Sequence, residues 1–205
     1  PEGYIAWVTV GSVKTMNEEE FTAWRGSDRV IVDTHYTLVR DTPNAKGAII
    51  SDAVWGNIAQ VSSRKVVNGY QEILLPNGKI GYVPAKDIKP LQKWLDSRNP
   101  TPENIINTGK QFLGFPYLWA GTSIKGLDCS GFVKTSHFLN GIILRRDASQ
   151  QAKIGQEIDI TNGIENLQKG DILFFGRKAT ADRPARVTHV GMYIGDGSFI
   201  HSATF

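Results

Sequence analysis

Asp128-Cys129-Ser130-Gly131-Phe132-Val133 holds the only cysteine of the 205-residue chain and reads as the first turn of a helix. Asp128 suits an N-cap, Phe132, Val133 and Leu139 recur at helical spacing, and Gly141 follows as a stop. A thiol at that position faces unpaired backbone N–H groups and the positive end of the helix dipole. The placement predicts a lowered thiol pKa. The same N–H groups could hold the oxyanion of a tetrahedral intermediate. A lone cysteine is otherwise a small buried hydrophobe, so its partners decide its meaning.

A nucleophile needs a base, and His189 lies in a strand expected over 188–194. By alternation His189 shares a face with Gly191 and Tyr193, while Val190, Met192 and Ile194 form the apolar face that suits a core. The next strand is expected over 198–202, after Gly195-Asp196-Gly197. A three-residue loop centred on Asp196 sets Gly191 opposite His201 and puts His189 diagonal to His201 on one face. A two-residue loop would flip the parity and separate the two rings. Gly191 is expected to leave room for both imidazoles. In the resulting line Cys129 attacks, His189 shuttles the proton and His201 orients the His189 ring. Zinc is a poor fit to these three residues, which lack a fourth ligand and a short ligand pair. His35 and His137 have no comparable context and read as structural or exposed.

Outward from this core, Thr101 and Pro102 open a helix over 101–114, with Ile105, Ile106, Gly109, Phe112 and Leu113 on one face. A polar helical patch near 149–153 and a strand over 172–175 complete that half. Residues 29–90 read as short antiparallel strands that form a small barrel, with Asn68-Gly69 and Asn77-Gly78 as the strongest hairpin signals. Asn17, followed by Glu18, Glu19 and Glu20, predicts a short helix with a capping box, whose buried face is Phe21 and Trp24. Residues 1–13 read as strand-like around Tyr4-Ile5-Ala6-Trp7-Val8. The organisation is therefore 1–13 as a tail, 14–28 as a helical connector, 29–90 as the barrel, 91–100 as a linker and 101–205 as the Cys/His domain. The fold class is α+β.

Charge and composition narrow the partners. The hydrophobic fraction is 40%, the charged fraction 21% and the net charge +3. The cations are scattered apart from short clusters at Arg145-Arg146 and from Arg183 to Arg186, so no concentrated stripe points to nucleic acid. No run of 18 apolar residues predicts a membrane span. One cysteine excludes an internal disulfide and a four-cysteine zinc cage.

Five motifs in order resemble one family. They are Pro116-Tyr117-Leu118-Trp119-Ala120-Gly121, Asp128-Cys129-Ser130-Gly131-Phe132, Gly170-Asp171-Ile172-Leu173-Phe174-Phe175, His189-Val190-Gly191-Met192-Tyr193-Ile194-Gly195 and Phe199-Ile200-His201-Ser202. Together they resemble the NlpC family of papain-like cell-wall cysteine peptidases, with helices packed on an antiparallel sheet. Residues 29–90 look like a bacterial SH3-like domain, and residues 3–8 look like the end of another. Ala120 stands where the family usually has glycine.

The resemblance implies a γ-D-glutamyl-L-diamino acid endopeptidase acting on peptidoglycan stem peptides, murein tripeptide or tetrapeptide, with a preference for a free N-terminal L-alanine. Cys129, His189 and His201 match the catalytic trio. Tyr117 and Asp128 would bind the α-amine, Ser130 the glutamate carboxylate, and Arg146 and Ser149 are further carboxylate contacts. No metal or organic cofactor is implied. A monomer in the bacterial cell envelope, periplasmic or secreted, is expected, with the cytoplasm as the alternative. The family continues through further strands after His201, so the domain is expected to be C-terminally truncated in this chain. The rival readings are an N-acetylmuramoyl-L-alanine amidase, an acyltransferase on the same scaffold, and a non-catalytic cell-wall binding module.

Overall fold

The structure is a computed structural model that describes residues 6–204. The chain divides between Ser97 and Arg98 into two compact units.

The first unit starts with helix α1 (Glu18–Gly26). Its capping box is formed as the sequence predicts, with Asn17 Oδ1 accepting from Glu20 N and Glu20 Oε2 from Asn17 N. Its expected buried face is not formed, because none of its residues is buried. Phe21 instead stacks on Trp24 with centroids 6.2 Å apart, and the Arg29 guanidinium lies 4.8 Å from the Trp24 ring. The strand expected around residues 4–8 is absent at residues 6–8, and its other residues lie outside the described ones.

Seven strands follow: β1 (Arg29–Val32), β2 (Tyr36–Arg40), β3 (Ile49–Val54), β4 (Ile58–Val67), β5 (Tyr70–Leu74), β6 (Ile80–Pro84) and β7 (Ile88–Pro90). They form one antiparallel sheet in the order β3-β2-β6-β5-β4-β1-β7. Among the described residues no pairing joins β3 to β7, so the sheet stays open where the sequence predicts a barrel. The β4–β5 turn is Asn68-Gly69 with both φ positive, at 50° and 79°, which is the geometry a two-residue hairpin requires. Val30, Val39, Ile73 and Val83 make the core.

The expected linker is partly a helix. α2 (Leu91–Asp96) buries Trp94, whose indole N–H donates to Asp33 Oδ1 at 3.2 Å. A buried indole with a polar partner anchors this segment to the first unit.

The second unit begins with α3 (Pro102–Lys110), capped by Thr101, whose hydroxyl accepts from Asn104 N at 3.2 Å. Ile105, Ile106 and Phe112 are buried, whereas Leu113 is 68% exposed because the helix ends before it. A two-stranded ladder, β8 (Thr122–Ser123) and β9 (Gly126–Leu127), leads into α4 (Cys129–Phe138). After α5 (Ala148–Gln151) come β10 (Ile172–Arg177), β11 (Arg186–Gly195) and β12 (Ser198–Ile200), paired in that order. Val190 and Met192 on β11 are fully buried, as is Val133 on α4, so helix and sheet share one apolar layer.

Candidate active site

The site is assembled at the mouth of α4. Asp128 caps the helix, with its Oδ1 accepting from Gly131 N at 2.7 Å. The same carboxylate accepts from Ala120 N at 2.9 Å, from Ser130 Oγ at 3.1 Å, and from both terminal nitrogens of Arg146 at 3.2 and 2.7 Å. Arg146 Nη1 also donates to Ser130 Oγ at 3.0 Å. Burial pushes the Asp128 carboxyl up, but Arg146, the Gly131 N–H and Ser130 outweigh it and hold it below the usual 3.8. Ordered polar groups thus fix the residue beside the cysteine in its charged form.

Glycine is required where the loop crosses the helix. A Cβ on Gly131 would strike the Gly121 carbonyl, and one on Gly121 would strike Gly126. Ala120, in contrast, sits at φ 65°, a left-handed conformation that a side chain resists. Its N–H is the one that reaches Asp128, so the strained residue belongs to the carboxylate's support.

Cys129 occupies the first helical position and lines a cleft of about 950 Å³. Burial lifts its thiol above the usual 9.0, which overturns the lowering expected from the helix terminus. The Val190 N–H opposes that rise, Asp128 adds to it, and the Ser130 and Cys129 N–H groups oppose it. Desolvation exceeds the opposing N–H groups here because 8% exposure leaves little water to solvate a thiolate. The surroundings of the sulfur thus favour the thiol over the thiolate.

His189 Nε2 and His201 Nδ1 are 2.8 Å apart, with the rings nearly perpendicular at 87°. His189 Nδ1 has no hydrogen-bond partner among the described residues, and the next residue's N–H faces the Cys129 sulfur. Burial, together with the neighbouring His201, lowers His189 below its usual 6.5. A neutral imidazole is the form that can accept a proton.

The register that brings the rings together arises differently from the expectation. Asp196 and Gly197, both at positive φ, make a two-residue turn closed by Gly195 opposite Ser198. A bulge then shifts the pairing to Tyr193 opposite Phe199 and Met192 opposite Ile200. The turn reverses the parity and the bulge restores it, so the expected face is recovered. Gly191 does not make room for imidazoles; a Cβ there would meet the Phe199 ring at 2.7 Å. Phe199 packs between Phe175 and His201, with centroids 5.1 and 5.0 Å away.

Of the other residues singled out in the sequence, Ser130, Arg146 and Ser149 line the cleft with Cys129. Tyr117 is half-buried; burial, with Cys129 and Asp128 nearby, raises its phenol above 10.0. His137 is buried in α4, with Nδ1 2.8 Å from the Val133 carbonyl, and His35 packs on Trp55 at 5.2 Å.

Two supports escaped the sequence reading. Gln151, 1% exposed, donates through Nε2 to Ser130 O at 3.1 Å and Arg145 O at 2.9 Å, tying the Arg146 segment to the helix. Ser202 Oγ donates to Leu127 O at 2.8 Å, tying the His201 end to the loop before the cysteine. Ser202 lies inside a motif already quoted and Gln151 inside the expected polar helical patch, but only the fold reveals their partners.

The family model described as the NlpC/P60 family matches residues 114–205. Residues 114–205 belong to the NlpC/P60 family. A gamma-D-glutamyl-L-lysine dipeptidyl-peptidase from Bacillus cereus (strain ATCC 10987 / NRS 248) is 36% identical over 98% of this chain and 57% of its own length. One of the same name from Bacillus subtilis (strain 168) is 38% identical over 66% of this chain and 42% of its own length. The chain therefore spans about half the length of these relatives. A crystal structure of an NlpC/P60 family protein from Bacillus cereus ATCC 10987 matches with a TM-score of 0.71 at 34% identity, over 90% of this chain and 57% of that one. The mixed α/β architecture with antiparallel sheets is consistent with the NlpC/P60 fold.

Proposed function

We propose that the chain is a cysteine peptidase that hydrolyses the γ-D-glutamyl bond to the diamino acid of peptidoglycan stem peptides in the bacterial cell envelope. The observation that carries this reading is the line of groups at the α4 mouth. A thiol sits at the helix N-terminus, and two imidazoles with nitrogens 2.8 Å apart are carried by β11, whose Val190 N–H faces the sulfur, and by the residue after β12. The names of the Bacillus relatives supply the substrate class.

In this reading His189 Nδ1 takes the thiol proton as Cys129 attacks the γ-carbonyl. The Gly131 N–H is committed to Asp128, which leaves the Cys129 and Ser130 N–H groups for the oxyanion. His189 then protonates the leaving amine, and water hydrolyses the thioester with His189 as base. His201 holds the His189 ring and its tautomer. Arg146, Ser130 and Ser149 form the acyl side of the cleft, where the glutamate carboxylate binds. The free amine of L-alanine is assigned to the Tyr117 hydroxyl and the Asp128 carboxylate. Because Asp128 is already paired with Arg146, the amine shares that carboxylate. The open sheet of the first unit is read as an SH3-like accessory module.

The test is mass analysis of products from an L-Ala-γ-D-Glu-diamino acid tripeptide, with and without an acylated N-terminus. The reading expects release of the free diamino acid, and slower release after acylation. Equal turnover of both peptides would remove the amine role of Tyr117 and Asp128. With a muramoyl group as the acyl cap, release of the intact tripeptide instead would point to an amidase.

A further inference from the structure

The basic cluster at Arg183–Arg186 acquires a place in the fold. The β10–β11 connection and the strand ends that flank it carry Arg177, Lys178, Arg183 and Arg186, with Asp182 as the only acid among them. Its last residues run into β11, where Arg186, Val187 and Thr188 line the same cleft as Cys129. Among the described residues Arg186 is exposed and has no ion pair or side-chain hydrogen bond.

Chemistry fixes which end of the cleft this is. The α4–α5 side holds Ser130, Arg146 and Ser149 and takes the acyl group. His189 must reach the leaving nitrogen to protonate it, so the leaving residue lies on the β11 side of the sulfur. Arg186 stands three residues before His189 on that strand. The bulge between Phe175 and Gly176, where pairing moves from His189 to Val187, displaces this end of β11 relative to His189.

We propose that Arg186 is a specificity-determining residue that takes a carboxylate of the departing diamino acid and so favours diaminopimelate over lysine. The inference rests on the peptidase reading above. Diaminopimelate ends its side chain in an ammonium and a second carboxylate, whereas lysine ends in an ammonium alone. A guanidinium pairs with the second carboxylate through charge-assisted hydrogen bonds and repels a bare ammonium. No bond is made or broken by Arg186 in this role.

The experiment compares kcat/KM of the full chain on L-Ala-γ-D-Glu-diaminopimelate and L-Ala-γ-D-Glu-L-lysine. The expected preference for the diaminopimelate peptide is about five-fold, the size an exposed charge contact confers. In Arg186→Gln the ratio falls toward unity, and in Arg186→Lys most of it returns. An equal rate on both peptides in the unaltered protein overturns the inference and leaves the peptidase reading standing. A preference that survives Arg186→Gln overturns it as well. Failure to cleave either peptide sinks the peptidase reading, and this inference with it.

Discussion

The two units place their polar groups differently. The unit before Arg98 has a seven-stranded sheet over an aliphatic core, and Thr37 and Gln71 are its only buried polar residues among those described. The unit after Ser97 has smaller sheets but buries Asp128, Ser130, Ser136, His137, Asn140 and Gln151, nearly all around α4. Buried polar groups cost free energy unless fully partnered, and when partnered they fix one geometry. The first unit is held mainly by burial, which tolerates adjustment. The second holds a nucleophile in place with hydrogen bonds, which do not.

The largest effect expected from this contrast is at Arg146. Replacing it with Leu leaves the Asp128 carboxylate without its counter-ion, and a broken buried pair costs about 3 kcal/mol. Denaturant unfolding should show that loss, and tripeptide turnover should fall with it. Unchanged stability would mean the Asp128 network is ornamental. Next is Val39→Ala in the core of the first unit, at 1% exposure. Unfolding should show a loss of about 2 kcal/mol, with kcat/KM on the tripeptide unaltered at temperatures where the protein stays folded. A fall in kcat/KM would break the division between the units.

The pH dependence sharpens the contrast further. His137 and His189 both have folded pKa values below the usual 6.5, His137 through burial and His189 through burial and His201. Protons therefore bind the unfolded chain first, and the stability these groups contribute is present above pH 6.5 and lost as pH falls below it. The expected slope is at most about 1.4 kcal/mol per pH unit for each group. Unfolding followed between pH 5 and 7 should show it, and His137→Gln should reduce it. The acid limb of kcat/KM should likewise lie below 6.5, and His201→Asn, which removes the neighbour that lowers His189, should move it upward. The smallest effect is at Ala120, whose left-handed backbone costs about 1 kcal/mol relative to glycine. Ala120→Gly should raise thermal stability by that amount while keeping the N–H on Asp128.

Much of this site is written locally in the chain. Asp128 as cap, Cys129 as first helical residue and Gly141 as stop follow from side-chain chemistry within one element, and all three hold. The Asn17 capping box and the Asn68-Gly69 turn are local in the same sense. What failed depended on contacts between distant residues. Phe21 and Trp24 have helical spacing for a buried face, but spacing cannot say whether a partner surface exists. The thiol pKa departs from expectation because the helix terminus is local and the desolvation is not. The pairing of Arg146 with Asp128 spans 18 positions, and no sequence periodicity marks it. The hairpin register came out on the expected face only because a bulge compensated a turn one residue shorter than assumed.

Everything functional turns on Cys129 acting as a nucleophile toward the γ-glutamyl carbonyl. Mass analysis of an L-Ala-γ-D-Glu-diamino acid tripeptide incubated with the protein and with Cys129→Ala tests this directly. The account predicts free diamino acid from the first and a drop of at least about 10⁴-fold with the second. Comparable release by Cys129→Ala would contradict it.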